Sequence, residues 1–125
     1  IYMPNVTSIS FDAFKDCINL KEVNFPKLTY LSTSAFQNSG LKSARFDILP
    51  QFDNIWHFKY CTDLTDIYLG YQGIVGLSFS STFENVPKGI KVHVRSEYAE
   101  QYATATNWTS LIANGTIVIV GDYVD

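Results

Sequence analysis

A motif centred on one phenylalanine recurs along the chain and constrains the fold more than any other feature. It reads AFKDC at 13–17, AFQNS at 35–39, HFKYC at 57–61 and, more loosely, TFENV at 82–86. A period of about 20 to 30 residues indicates a solenoid, because one unit cannot bury its apolar face alone and has to stack on its neighbours. We therefore predict an α/β repeat solenoid in which four residues share one structural position: Phe14, Phe36, Phe58 and Phe83.

Alternating apolar residues predict one short strand in each unit. The alternating pairs are Val23 and Phe25, Ala44 and Phe46, and Ile67 and Leu69. This period of two is typical of a strand with one buried face. Such short strands are not stable alone, so we expect them to pair in a short parallel ladder. Between the strands we predict irregular or short helical return segments, each capped by a Ser or Asp before the Ala-Phe pair, with the four phenylalanines stacked inside.

The pattern changes after Val94. Ser96 is a candidate helix N-cap, and Tyr98, Tyr102 and Ala105 follow at helical spacing, which predicts an amphipathic helix of about ten residues. A last strand is predicted over 117–120. The end of a solenoid exposes apolar surface, so we expect this helix and strand to cap it. We thus divide the chain into about four repeats over 1–94, continuing an array whose earlier units lie outside this sequence, and a capping unit with a tail over 95–125.

Charge and hydropathy argue against two kinds of partner, nucleic acid and the membrane interior. Nine basic and twelve acidic residues leave a net charge of -3, whereas phosphate binding needs clustered Lys and Arg. We therefore expect no nucleic-acid partner. No apolar run reaches the roughly 18 residues needed to span a bilayer, so direct membrane insertion is not expected either.

The cysteines and histidines are interpreted as structural. Cys17 and Cys61 share a repeat position that Ser39 also fills, which indicates a small buried slot; two units of strand spacing, roughly 10 Å, are too far for a disulfide. We interpret His57 as filling a loosened slot and place His93 at a solvent-facing strand position. No catalytic motif, metal-ligand spacing or cofactor motif is present, so we predict a protein that is not an enzyme, with no metal and no cofactor.

The solvent-facing side of the predicted ladder is the candidate binding surface. Polar and aromatic side chains should project from it side by side, and Tyr and Arg are enriched in binding hot spots. The alternative is that this side has no binding role, because every solenoid has some face in contact with solvent. We expect one row of candidate binding residues formed by Tyr2, Asn24, Arg45, Tyr68 and Lys91, and a second row formed by Glu22, Ser43 and Asp66; His93 is a further candidate.

Two further groups of residues are noted. Trp56, Tyr60 and Tyr71 are candidates for an aromatic surface on one edge, or else each packs against its own loop. Asn-x-Thr triplets begin at Asn5, Asn107 and Asn114; these are glycan acceptors only in a secreted eukaryotic protein, and chance occurrence is the alternative.

The segment AFKDCINLKEVNFP at 13–26 resembles the repeat unit of the BspA-like leucine-rich repeat family of bacterial cell-surface proteins. The tail VHVRSEYAEQYATATNW at 92–108 is also similar to an end unit found in such proteins, so the resemblance covers about residues 1 to 120. The resemblance implies a right-handed leucine-rich repeat coil. The units at 47–61 and 70–89 depart from the pattern, and the second of these is longer.

Through the family, the resemblance implies adhesion by a secreted or surface-anchored protein. We expect a non-catalytic binding module, extracellular or on the cell surface and monomeric, that holds a host matrix protein, a microbial surface protein or a glycan. The alternatives are a structural spacer and an accessory domain of a larger surface hydrolase.

Overall fold

The computed structural model describes residues 1–125 as nine strands, one α-helix and two 3₁₀ segments. The strands are β1 (Ser8–Ile9), β2 (Glu22–Phe25), β3 (Tyr30–Leu31), β4 (Ser43–Phe46), β5 (Gln51–Phe52), β6 (Asp66–Leu69), β7 (Gly76–Leu77), β8 (Ile90–Val94) and β9 (Ile117–Val120). The 3₁₀ segments are Ser80–Phe83 and Ser96–Thr104, and helix α1 is Trp108–Ala113.

The main sheet is the predicted parallel ladder. Its five strands lie in the order β2-β4-β6-β8-β9, and every neighbouring pair is parallel. Tyr2 adds a parallel bridge to Asn24 beside β2. Alternate residues of β2, β4 and β6 are buried, as the period of two predicted. The predicted last strand is present over Ile117–Val120 and pairs with β8.

The return segments are irregular or short and helical, as predicted, but the predicted caps are absent. Two short parallel pairs, β1 with β3 and β5 with β7, lie outside the main sheet. Most of the remaining chain between the strands of the repeats forms turns, and only Ser80–Phe83 is helical there. Asp12 and Ser34, which we expected to cap helical turns, have φ values of 58° and 59°. A positive φ belongs to the left-handed region, which Asp and Asn tolerate better than most residues, whereas a residue whose side chain caps a helix typically has extended φ and ψ.

The predicted phenylalanine column is confirmed, although Phe14 is only partly buried whereas Phe36, Phe58 and Phe83 are buried. Phe36 lies stacked between Phe14 and Phe58, with ring centroids 5.4 and 5.8 Å away, and Phe83 continues the stack 5.6 Å beyond Phe58. Phe25 and Phe46 pack against the column from the sheet side. Backbone hydrogen bonds, such as Phe36 N to His57 O at 3.0 Å, join each phenylalanine to the residue that precedes the phenylalanine of the next unit. The spacing of the repeat therefore sets both the core and the backbone pairing.

The C-terminal segment contains the predicted strand but not the predicted helix. Ser96–Thr104 is a 3₁₀ segment whose N-cap is Arg95 rather than Ser96, and only Tyr102 is buried in it. The short α-helix Trp108–Ala113, which was not predicted, follows Asn107 and buries Trp108 and Leu111. Short helices depend on packing more than on propensity, so the docking of Tyr102 and Trp108 decides the local geometry. No helix of the chain combines the length and apolar character needed to cross a bilayer.

Candidate functional site

The side of the five-stranded sheet that faces away from the phenylalanine column is here called the outer face. Strand pairing arranges its side chains in two rows, and a third set of residues directly follows the strands. The edge row is Glu22, Ser43, Asp66, Lys91 and Val118; the central row is Tyr2, Asn24, Arg45, Tyr68, His93 and Val120; the end row is Asp47, Gly70 and Arg95.

The structure brings five of the six predicted binding residues into the central row and moves the sixth. Lys91 pairs with Asp66 in the edge row, and His93 takes the expected place of Lys91 beside Tyr68. The physical reason is the longer unit at 70–89, which shifts the register of β8. The spacing from Phe58 to Phe83 is 25 residues instead of 22. The same spacing from Tyr68 leads to His93, so the sequence contains the information needed to pair these two residues.

Exposure differs strongly along the central row. Tyr2 is 65% exposed and Lys91 in the edge row is also exposed, whereas Asn24, Arg45 and Tyr68 are partly buried. His93 is only 8% exposed, so its predicted solvent-facing position is wrong. It lies on the outer face but is covered there by its neighbours.

Those neighbours are one aromatic ring and two carboxylates. The His93 ring stacks on Tyr68 with centroids 4.3 Å apart, and its Nε2 and Nδ1 lie 2.7 Å from oxygens of Asp66 and Asp122. Burial alone would raise the pKa of Asp66, but hydrogen bonds from His93 and Thr65 outweigh it and lower that pKa. Burial, together with the charges of Asp66 and Asp122, raises the pKa of Tyr68.

Residues 121–125, here called the tail, run back across the end row after β9. The Tyr123 backbone N–H donates to Val94 O at 3.0 Å, and the Tyr123 hydroxyl donates to Asp47. The Tyr123 ring is buried and lies close to two guanidinium groups, with Arg45 at 4.5 Å and Arg95 at 5.1 Å from its centroid. Burial and the neighbouring Asp47 raise the pKa of Tyr123 to about 12, so the phenol stays protonated.

Sequence reasoning missed this part of the face. It treated the tail as a short end segment and did not consider Asp47, Gly70 or Arg95. One signal was present: Arg45 and Arg95 are the two arginines of the chain, and one lies in a predicted strand while the other directly follows one.

The cysteines are both free. Cys61 is fully buried, and its Sγ donates to Phe36 O at 3.0 Å and lies 3.5 Å from Ser39 Oγ. Burial raises the pKa of the Cys61 thiol, which keeps it protonated. Cys17 occupies the equivalent position but is partly exposed. The packing interpretation is thus confirmed for Cys61.

His57 is also buried, and its slot is tightly filled rather than loose. Its Nε2 donates to Leu31 O at 3.1 Å, so Nδ1, 3.0 Å from Thr82 Oγ1, accepts from that hydroxyl. Burial lowers the pKa of His57 to about 4, and hydrogen bonding to backbone at Asp53 and Leu31 offsets this only in part. The ring is therefore neutral at physiological pH.

Two of the three candidate edge aromatics lie together. Lys59 Nζ is 4.2 Å from the Trp56 ring centroid and 5.3 Å from that of Tyr60, and it also pairs with Glu84 at 3.2 Å. Tyr71 does not join them; it packs partly against the core and lines a groove beside the tail.

The Asn-x-Thr triplets differ in what their side chains do. Asn107 Nδ2 donates to Leu77 O at 2.7 Å and to Ser78 O at 3.0 Å, so a glycan, which leaves this nitrogen only one hydrogen, would break at least one of the two contacts. Asn114 Oδ1 accepts from Thr116 N at 2.9 Å, and Asn5 is exposed.

Stacked units that each add one strand to a parallel sheet define a repeat protein. The family model described as BspA type leucine rich repeat region matches residues 1–105, in 6 copies. The chain therefore belongs to the BspA type leucine-rich repeat family. Comparison with curated proteins and with solved structures gives no match.

Proposed function

We propose that this chain is a non-catalytic binding module of a secreted or cell-surface protein, and that its outer face contacts a protein or glycan partner. The proposal includes the finer architecture: a right-handed solenoid over 1–94 with a capping unit and tail over 95–125. Family membership supports it, because leucine-rich repeat domains generally mediate protein interactions.

The observation that carries the proposal is the composition of the outer face. Tyr2 and Lys91 are exposed there, and the Arg45 side chain keeps 30% of its surface accessible. A rigid ladder holds these groups in fixed positions, so little conformational entropy is lost when a partner binds. Tyr and Arg contribute disproportionately to protein interfaces.

A matched pair of double variants tests the proposal. Tyr2→Ala with Lys91→Ala removes one exposed aromatic ring and one lysine from the outer face. Phe11→Ala with Lys15→Ala removes an equally exposed ring and a lysine from a turn segment away from it. Binding to immobilised matrix proteins and to a glycan array is measured for both. The outer-face variant should bind at least about tenfold more weakly, since two contacts of about 1 kcal/mol each are lost, and the turn variant should bind like the wild type.

A second candidate is a structural spacer or an accessory domain with no ligand of its own. Contacts with the tail favour this second candidate. Arg45 and His93 already form hydrogen bonds with tail residues, so these groups are less available to an external partner. If the wild type binds nothing in the same screen, or if both double variants bind alike, the spacer is the better reading.

A further inference from the structure

We propose that a groove at the end of the outer face is a binding site for an extended acidic peptide that carries a tyrosine, and that the tail is its built-in occupant. The groove, here called the tyrosine groove, is formed by Arg45, Asp47, Gly70 and Arg95. The inference rests on the proposed function in placing the site on the outer face, and it adds the chemistry of the ligand.

Recognition of the ring is specific for tyrosine. Arg45 and Arg95 lie against the Tyr123 ring, and Asp47 accepts its hydroxyl hydrogen. Arg45 Nε in turn donates to Asp47 at 2.9 Å, which holds the accepting carboxylate in place. Phenylalanine would keep the contacts with the guanidinium groups and lose the hydrogen bond.

Recognition of the flanking residues favours an acidic, extended segment. Arg95 donates to both carboxylate oxygens of Asp125, at 2.5 and 3.3 Å, and His93 contacts Asp122 at 2.7 Å. Arg45 Nη2 donates to the backbone carbonyl of Val124 at 2.9 Å. The tyrosine groove and the adjoining His93 thus contact two acidic side chains and one backbone carbonyl of the tail. A segment of another protein can present the same groups.

The charge distribution supports the same ligand. The protein has a net charge of -3, yet its two arginines both lie in this groove, and the other seven basic residues are lysines. Arginine stacks on aromatic faces and pairs with carboxylates at two points, and lysine does neither as well. The choice and placement of these residues match an acidic, aromatic partner.

Gly70 makes room for the ring. It stands in the end row between Asp47 and Arg95, and a Cβ at this position would clash with the Tyr123 ring and hydroxyl and would lie 2.7 Å from the backbone oxygen of Asp47. Its φ does not lie in the left-handed region, so the backbone conformation does not require glycine here. The missing side chain allows the close approach of both the Tyr123 ring and the Asp47 backbone.

The tail leaves part of the site open. Tyr123 is its single buried side chain, whereas Val124 is 74% exposed and the Asp125 side chain 79% exposed. An open space of about 500 Å³ lies beside the tail, lined by the tyrosine groove and the tail themselves and, beyond them, by Ile48, Tyr71 and Gln72. A longer segment of the same chemistry can fill this space as well, which gives it contacts that the tail lacks.

The test uses the full chain and a fluorescent peptide with the tail sequence Gly-Asp-Tyr-Val-Asp. A tethered tail competes at an effective concentration of about millimolar, so the wild type should bind the peptide weakly. Tyr123→Ala empties the ring position and should bind at least about tenfold more tightly. A peptide with phenylalanine in place of tyrosine should bind about tenfold more weakly than the parent, since one hydrogen bond to a carboxylate is lost.

The matched control adds Gly70→Ala to the Tyr123→Ala protein. Its methyl group occupies the ring position, so peptide binding should fall back to the wild-type level. Because the methyl group also meets the Asp47 backbone oxygen, the comparison is made only if the two variants have matching thermal unfolding. Should Tyr123→Ala fail to fold, the Asp122→Ala, Asp125→Ala protein loosens the tail without removing the buried ring and should also bind more tightly than wild type. A folded protein of either kind that binds no better than wild type, or binding that Gly70→Ala leaves unchanged, overturns the tyrosine groove.

Failure here is distinguishable from failure of the binding module. If the peptide does not bind while the Tyr2 and Lys91 double variant still loses a partner, the tyrosine groove is wrong and the module stands. If the peptide binds and that double variant loses nothing, the groove stands and the wider outer face is not the partner surface.

Discussion

At the scale of single residues, His57 makes the stability of the protein depend on pH. It stands where Ala13 and Ala35 stand in the preceding units, and burial holds it neutral. The unfolded chain protonates this ring near pH 6.5, whereas the folded protein does so only near pH 4, because burial lowers the pKa. Between these values the unfolded state binds the additional proton, so stability falls as the pH falls.

We therefore predict that His57 costs the wild type about 3 kcal/mol of its free energy of unfolding between pH 6.5 and pH 4. His57→Gln keeps a donor for Leu31 O and does not titrate. This variant should be less stable than wild type at pH 7 and should lose less stability on acidification. Urea denaturation at several pH values measures both, and the difference between the proteins cancels the groups that they share. Parallel pH profiles would show that His57 does not titrate in this way.

Backbone conformation explains another feature at the residue scale. Asp12, Ser34 and Trp56 share one left-handed repeat position, and Asp16, Asn38, Tyr60 and Asn85 share a second. Asp and Asn suit these positions because their short polar side chains tolerate a positive φ. Trp56 and Tyr60 carry a cost of about 1 kcal/mol or more at the same positions. The unit at 47–61, which departs from the repeat motif, therefore has a less favourable backbone energy at these two positions than the units that carry Asp or Asn there.

At the scale of elements, the C-terminal segment depends on one asparagine more than on a regular helix. Asn107 adopts a φ of 67°, begins α1, and ties that helix to the strand β7 region through Leu77 O and Ser78 O. The side-chain amide is the donor in both contacts. The Trp108 indole N–H adds a bond to Val75 O at 2.8 Å. Helix α1 is thus held by hydrogen bonds to the backbone of β7 and of the residues beside it, as well as by burial.

Asn107→Asp should destabilise the protein by about 2 to 3 kcal/mol, because a carboxylate cannot donate to the two carbonyl oxygens and is repelled by them. Asn114→Asp is the matched control. Asn114 acts as an acceptor for Thr116 N, and a carboxylate keeps that role. Thermal unfolding of both variants compares the same change of charge at two sites. Equal losses of stability would contradict the assigned roles of the two side chains.

At the scale of the whole molecule, the phenylalanine column joins the units. Each ring contacts its counterparts in the next units, so one position couples units that are 22 residues apart in the chain. Stability in such arrays is divided between the units and their interfaces. A gap in the middle of the column should therefore weaken two interfaces at once.

Phe36→Ala should lower the free energy of unfolding by about 3 to 5 kcal/mol, since it removes a fully buried ring stacked on both sides. Phe11→Ala, which removes a ring that is 70% exposed, should change it by less than about 0.5 kcal/mol. Guanidinium denaturation measures both. A small effect of Phe36→Ala would mean that the column does not carry the stability of the array.

The positions of the residues on the outer face depend on the register of the strands. The sequence placed Tyr2, Asn24, Arg45 and Tyr68 in one row because their units have nearly the same length. It misplaced Lys91 because the unit at 70–89 is longer, and a slip of two residues keeps the same face while moving a side chain to another row. Whether these residues bind a partner stays a prediction.

The sequence by itself determined the repeat, the parallel ladder and the phenylalanine column, because each follows from a local period that the chain repeats. The tertiary structure decided the cover on His93, the 3₁₀ form of Ser96–Thr104 and the path of the tail over Arg45 and Gly70. Residues far apart in the chain meet in these places, and no period relates them. Their contacts exist only once the sheet has set the distance between them.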